Sequence, residues 1–256
     1  MYLDNVKAMS LLATKKVAFL ENSRLSYIVS AILAGAYVGL GIILIFSIGA
    51  PLAAAKSLFL KPLMGVSFGI ALTLVVFAGS ELFTGNNMIM TLGCLRKETS
   101  WSAAFRIWSF SWAGNLMGSV FLAYLVVASG AINHAVGFIE KVASSKMNMP
   151  VTEMLLRGLL CNWLVCLALW TSAQAKSEVA KCILIFWCLF AFIASGFEHS
   201  VANMTLLSIS LFFPHGDTIS WAGFANNLVW VTLGNIAGGG IFVGGMYWLA
   251  TYKEKG

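Results

Sequence analysis

The sequence predicts an all-α membrane protein. Six transmembrane helices form two three-helix halves of opposite topology, with the second and fifth helices broken. Three observations carry this reading. Hydrophobic residues make up 59% of the 256-residue chain and charged residues only 10%, whereas a soluble domain carries about 25% charged residues. So little charge cannot cover a water-facing surface, and lipid must be the main solvent. Six apolar runs are long enough to cross a bilayer, and short polar sequences interrupt two of them at related places.

The chain opens with residues 1–24, which contain Asp4, Lys7, Lys15, Lys16, Glu21 and Arg24. Val6, Met9, Leu12, Val17 and Leu20 recur at helical spacing, which predicts an amphipathic helix lying at the interface. A cleaved signal would need a short apolar core followed by a small-residue cleavage site. Here the first apolar run continues far beyond that length.

A spanning helix needs about 20 apolar residues. The runs Tyr27–Gly49, Leu63–Gly93, Phe105–Gly130, Met154–Ala173, Cys182–Phe213 and Ala222–Ala250 qualify. The second and fifth are too long for one simple crossing at 1.5 Å per residue. They divide the chain into a first repeat, 27–130, and a second, 154–250, within a single membrane domain. With six spans both termini share a side. That side then carries eleven Lys/Arg: Lys7, Lys15, Lys16, Arg24, Arg96, Lys97, Arg106, Lys176, Lys181, Lys253 and Lys255. The other carries five: Lys56, Lys61, Lys141, Lys146 and Arg157. The excess places both termini in the cytoplasm. The net charge of +6 is thus accounted for by topology, and no basic, aromatic-interleaved patch points to nucleic acid.

Two pairs of motifs relate the halves. Gly79-Ser-Glu-Leu-Phe-Thr-Gly-Asn-Asn-Met88 interrupts the second run, and Gly196-Phe-Glu-His-Ser-Val-Ala-Asn-Met204 interrupts the fifth. Their glutamates lie 117 positions apart. Gly114-Asn115 with Gly118 and Gly234-Asn235 with Gly238 lie 120 apart. Similar offsets for independent motifs indicate an internal duplication. Because each half has an odd number of spans, the repeats are inverted.

Charge inside a span costs about 2.5–3.5 kcal/mol on insertion scales. Glu81 and Glu198 therefore need a reason to be there. Their equivalent positions favour a supporting role, accepting backbone N–H groups freed at a helix break. His199 has no counterpart, since Leu82 follows Glu81. An imidazole titrates near neutral pH and can give a proton or a hydrogen bond to an anion. Thr84 adds a hydroxyl to the first break, and Asn115, Asn162 and Asn235 are further in-span amides. Asn115 reads as an interhelical hydrogen-bonding residue.

Nothing reads as an enzyme active site. The chain has no nucleotide loop, no paired catalytic carboxylates and no nucleophile motif. Cys94, Cys161, Cys166, Cys182 and Cys188 include no CxxC, and His134, His199 and His215 are scattered. Neither a metal site nor another cofactor is expected.

Ser80-Glu-Leu-Phe-Thr-Gly-Asn86, Cys161-Asn-Trp-Leu-Val-Cys166 and Ala194-Ser-Gly-Phe-Glu-His-Ser-Val-Ala-Asn-Met204 resemble signatures of the formate/nitrite transporter family. The stretches 34–46 and 228–236 fit as well, so the resemblance covers nearly the whole chain. It implies an aquaporin-like fold, a homopentamer in the bacterial inner membrane, and one pore per protomer. It implies Leu72 and Phe192 at a cytoplasmic constriction, and Leu82 and Phe83 at the loop and the outer constriction. Asn162 and Asn235 correspond to polar pore positions, and Lys146, in the loop before span four, to an outer lysine. Within the family, Cys-Asn-Trp-Leu-Val-Cys-Leu-Ala-Leu-Trp is most similar to the nitrite branch, with the hydrosulfide and formate branches as rivals.

A bare anion in an apolar constriction would cost tens of kcal/mol, and protonation removes most of that. The expectation is that Lys146 attracts nitrite, hydrosulfide or formate. His199 and Thr84 then bind it, and His199 lends a proton. A neutral-solute channel is the alternative of a different class, but the paired Asn-Pro-Ala loops and selectivity arginine of such channels are missing. A scaffold without transport is the other. The N-terminal helix either closes the cytoplasmic mouth or anchors to the membrane.

Overall fold

The computed structural model describes residues 2–252, all of whose regular structure is helical. Lys253 and Lys255, counted above toward the cytoplasmic side, lie outside the described residues. The helices are α1 (Leu3–Asn22), α2 (Arg24–Ala54), α3 (Leu60–Ser67), α4 (Gly69–Phe77), α5 (Phe83–Leu95), α6 (Trp101–Ala128), α7 (Val136–Met147), α8 (Val151–Gln174), α9 (Glu178–Ser195), α10 (Ser200–Phe212), α11 (Trp221–Ile236) and α12 (Met246–Thr251). Six segments are long and apolar enough to cross a membrane: 24–54, 60–77, 101–128, 151–174, 178–195 and 221–251. The over-long second run becomes α3, α4 and α5, and the fifth becomes α9 and α10. Serines start several of these helices for the usual reason. Ser23, Ser100 and Ser220 each accept a backbone N–H of the first turn, satisfying a donor that has no intrahelical partner.

Glycines set the two closest helix crossings. A Cβ on Gly118 of α6 would run into the carbonyl of Ile32 on α2, and one on Gly238 into that of Leu159 on α8. With no hydrophobic drive between helices in lipid, such close backbone approach is how spans adhere. Those two crossings hold α2 on α6 and α8 on the last span. The last span continues past Ile236 as a wide helical turn, Ala237–Gly245, whose glycines pack on α5.

Two expectations change. The apolar face of α1, with Val6, Met9, Ala13 and Leu20, is buried in the protein, chiefly against α5, and so does not lie on lipid. Asn5 donates to the Trp170 carbonyl and Arg96 to Ser10 Oγ, tying both sides of α1 down. Lys146 sits not in a loop but on the last turn of α7, because Ile139, Ala143 and Met147 give residues 136–147 an apolar helical stripe. A short amphipathic helix therefore precedes the first span of each half.

Candidate functional site

Both interruptions are built by the same sequence of steps. α4 ends at Gly79, with φ 75°, and α9 at Gly196, with φ 73°, a conformation glycine adopts without steric cost. The following N–H reaches back to close each end: Ser80 to the Val75 carbonyl at 3.1 Å and Phe197 to that of Phe192 at 3.0 Å. The glutamate N–H then leaves for a neighbouring span, Glu81 to the Ser30 carbonyl at 3.3 Å and Glu198 to that of Arg157 at 3.2 Å.

One asparagine splints each gap. Asn115 Oδ1 accepts the Phe83 N–H at 2.9 Å, while its Nδ2 donates to the carbonyls of Ala31 and Glu81 at 2.7 and 3.0 Å. Asn235 Oδ1 accepts the Ser200 N–H at 2.9 Å, while its Nδ2 donates to those of Gly158 and Glu198 at 2.8 and 3.0 Å. The chain thus crosses each gap with its polar backbone satisfied by a side chain, as irregular backbone at membrane depth must be.

The glutamate carboxylates are paired too. Lys16 Nζ of α1 lies 2.7 Å from Glu81 Oε1. Tyr27 and Asn86 donate to Oε2 of Glu81 at 3.0 and 3.2 Å. Lys146 Nζ of α7 lies 2.6 Å from Glu198 Oε1, and Asn203 donates to Oε2 at 2.7 Å. Neither Lys16 nor Tyr27 stood out in the sequence as a partner. The repeat itself held a signal for Lys16, a lysine on the amphipathic helix that precedes each half.

Between the interruptions Thr84 Oγ1 and His199 Nε2 are 3.1 Å apart, both residues buried. The orientation of the ring follows from its other nitrogen. His199 is the N-cap of α10, and its Nδ1 accepts the Ala202 N–H at 3.1 Å. A nitrogen that accepts carries no proton, so the neutral ring holds its hydrogen on Nε2. That Nε2–H is directed at Thr84. α5 and α10 also both begin here, so two helix N-termini, each with partial positive charge, face the same region.

Leu72, Leu82, Phe192 and His199 line one narrow space with a volume of about 10 Å³. That is close to the smallest volume that holds a single water. Phe192 lies nearly parallel to the His199 ring, with centroids 6.0 Å apart, and Phe68 meets Phe192 edge-on at 5.4 Å. Phe68 is a lining residue the sequence did not distinguish among 18 phenylalanines.

Outside this space opens a cavity of about 760 Å³ whose wall includes all five cations assigned to the outer side: Lys56, Lys61, Lys141, Lys146 and Arg157. Phe192 and His199 reach its floor, whereas Leu72 does not. Phe192 thus borders both spaces, while Leu72 borders the narrow one. Phe83, Thr84, Asn162 and Asn235 line neither space, and Thr84 meets the site through its bond to His199. Phe83 is packed in the core. Asn162 donates to the carbonyls of Thr84 and Asn235 and to Asn87 Oδ1. Asn235 is consumed as a splint. Among the described residues no three His, Cys, Asp or Glu side chains converge.

A family model described as formate/nitrite transporter matches residues 4–249. The nitrite transporter NirC of Salmonella typhimurium is 46% identical over 258 residues, covering 100% of this chain and 94% of that protein. A solved structure described as an FNT family ion channel superposes with a TM-score of 0.92 at 45% identity, covering 98% of this chain and 100% of the other. A pentameric formate channel with formate bound superposes with a TM-score of 0.78 at 29% identity, covering 89% and 97%.

Proposed function

The chain belongs to the formate/nitrite transporter family, and on that premise we propose that it is a multi-pass membrane channel or transporter for small monovalent anions of weak acids, with nitrite as principal substrate. The observation that carries the reading is the meeting of Thr84 and His199 at 3.1 Å, above a space too narrow for a hydrated ion. The nitrite choice rests on the relatives named nitrite transporter.

The mechanism follows from the solvent problem. The outer cations concentrate the anion in the vestibule, where water is plentiful. The anion sheds water at Phe192 and accepts the Nε2–H of His199, with the Thr84 hydroxyl as a second donor. A hydronium ion of the vestibule gives its proton to the anion and remains as water, and the resulting neutral acid crosses between Leu72 and Leu82 at far lower cost than the ion. The proton leaves on the far side. The tautomer argues against His199 as the standing proton store. To become imidazolium it would have to surrender the Ala202 N–H that its Nδ1 caps. The ring acts as an orienting donor instead.

The same reading includes the finer architecture: spans two and five as broken helices of an inverted, aquaporin-like repeat, five copies around an axis, both termini cytoplasmic, and residence in a bacterial inner membrane. It is supported by the matched bonding at the two interruptions, the distribution of Lys and Arg, and a pentameric structural neighbour. The test is proteoliposome flux of nitrite, formate and hydrosulfide across a pH series for the parent and His199→Phe. Nitrite flux in the parent that falls at least tenfold in the variant is expected. Flux of water or glycerol without anions from the parent would overturn the function, and an unaltered variant would remove His199 from it.

A further inference from the structure

Arg157 stands apart from the other outer cations. It is the sole arginine among them, it lines the vestibule, and it also lines an adjoining groove of about 420 Å³ with Glu153, Asn148 and Thr218. Ser145 and Met149 are shared by the two spaces, so Arg157 stands at their common wall. Its backbone carbonyl receives the Glu198 N–H, which places it one residue from His199 and beside the Lys146–Glu198 pair. Among the described residues its guanidinium is engaged only by Glu153, one turn earlier on α8, with the side chains 42% and 46% exposed. Half-exposed pairs of this kind are weak and easily exchanged. Lys56, Lys61 and Lys141, by contrast, form no ion pair among the described residues.

We propose that Arg157 is a specificity-determining residue at the mouth of the pathway, binding bent or planar oxyanions by exchanging Glu153 for the substrate. Guanidinium presents parallel N–H donors that match two oxygens about a single atom. Nitrite and formate have that geometry, and hydrosulfide, with one charged atom, does not. The lysine ammoniums hold either class as point charges. The mouth therefore sorts anions by shape before the constriction sorts them as neutral acids. Glu153 occupies the fork when no anion is present and sets the threshold for its capture. This inference rests on the pathway carrying anions at all.

Two variants separate the shape effect from charge and from folding. Arg157→Lys keeps the charge, and the backbone carbonyl that holds Glu198 is unaffected by the side chain. External KM for nitrite and formate should rise about fivefold, the loss of one net hydrogen bond, while the KM for hydrosulfide and the maximal rates stay within twofold. Glu153→Gln frees the fork and should lower the nitrite KM instead. Proportional shifts for all three anions, or a fall in maximal rate at constant KM, would overturn the proposal. Absence of any anion flux in the parent would instead reject the transport reading beneath it.

Discussion

Asn235 bridges three backbone groups at the second gap, whereas the resemblance implies a polar pore position, and replacing it with leucine separates the two roles. Leucine has the same branched skeleton but replaces the amide with two bulkier methyls, which removes the polarity and adds some overpacking. Three backbone groups then lose their partner: the Ser200 N–H and the carbonyls of Gly158 and Glu198. A buried donor or acceptor left unsatisfied costs about 1–3 kcal/mol, so the sum is about 3–9 kcal/mol. Asn235 is fully buried, and no water route relieves the loss without opening the gap. The expected outcome is a destabilisation of at least 3 kcal/mol.

The assay is denaturant unfolding in detergent, followed by size exclusion, for Asn235→Leu and two companions. Asn115→Leu removes the equivalent three bonds in the first half and should cost the same within about 1 kcal/mol if the splints are equivalent. Asn226→Leu lies on the same helix, but its residue is exposed and bonds only Trp230. It should fall within ±0.5 kcal/mol. A stable Asn235→Leu with altered anion selectivity would refute the splint and restore a pore role.

Two further outcomes follow from the same geometry. Lys16→Met strands a carboxylate whose side chain is 11% exposed; breaking such a pair costs about 3–5 kcal/mol, toward the low end here because Tyr27 and Asn86 remain, and Lys16→Met/Glu81→Gln should recover more than half of it in the same unfolding assay. Gly118→Ala should abolish folded protein on size exclusion, because its Cβ meets the Ile32 carbonyl, whereas Gly79→Ala, with φ 75° but open space around it, should fold at a cost of about 1–2 kcal/mol.

The spans could be read from the chain because each is a long apolar run, and the stretches that bond alike at the two gaps because each carries a local pattern, a Gly-x-Glu and a Gly-Asn. The reach of the glutamates could not. Lys16 is 65 positions from Glu81 and Lys146 is 52 from Glu198, and no periodicity links such residues. The roles of single residues along the pathway were also hard to read from the chain. An amide in a span looks the same whether it faces a pore or a gap in the backbone, so Asn162 and Asn235 were ambiguous in kind. Phe83 and Phe192 sit in continuous apolar sequence, where depth along the pathway leaves no mark. α7 was legible in principle, since its apolar stripe resembles that of α1, but its few turns lie within a long connection.

The matched bonding at the two gaps also bears on where chemistry could be added. Glycine, glutamate and asparagine do identical work at both gaps, and neither set can change without leaving buried backbone unpaired. The positions free to differ are those whose side chains point between the half-helices. Leu82 and His199 are the two N-cap residues, of α5 and α10. Leu82 makes no side-chain cap, while His199 caps through Nδ1 and presents Nε2–H to Thr84. Two leucines would give a constriction with no donor but a lone hydroxyl. Two histidines would give no apolar wall to exclude the charged form. One of each places a hydrogen-bond donor directly against a dry gate, which is the juxtaposition that a weak acid needs in order to exchange its charge for a proton before it crosses.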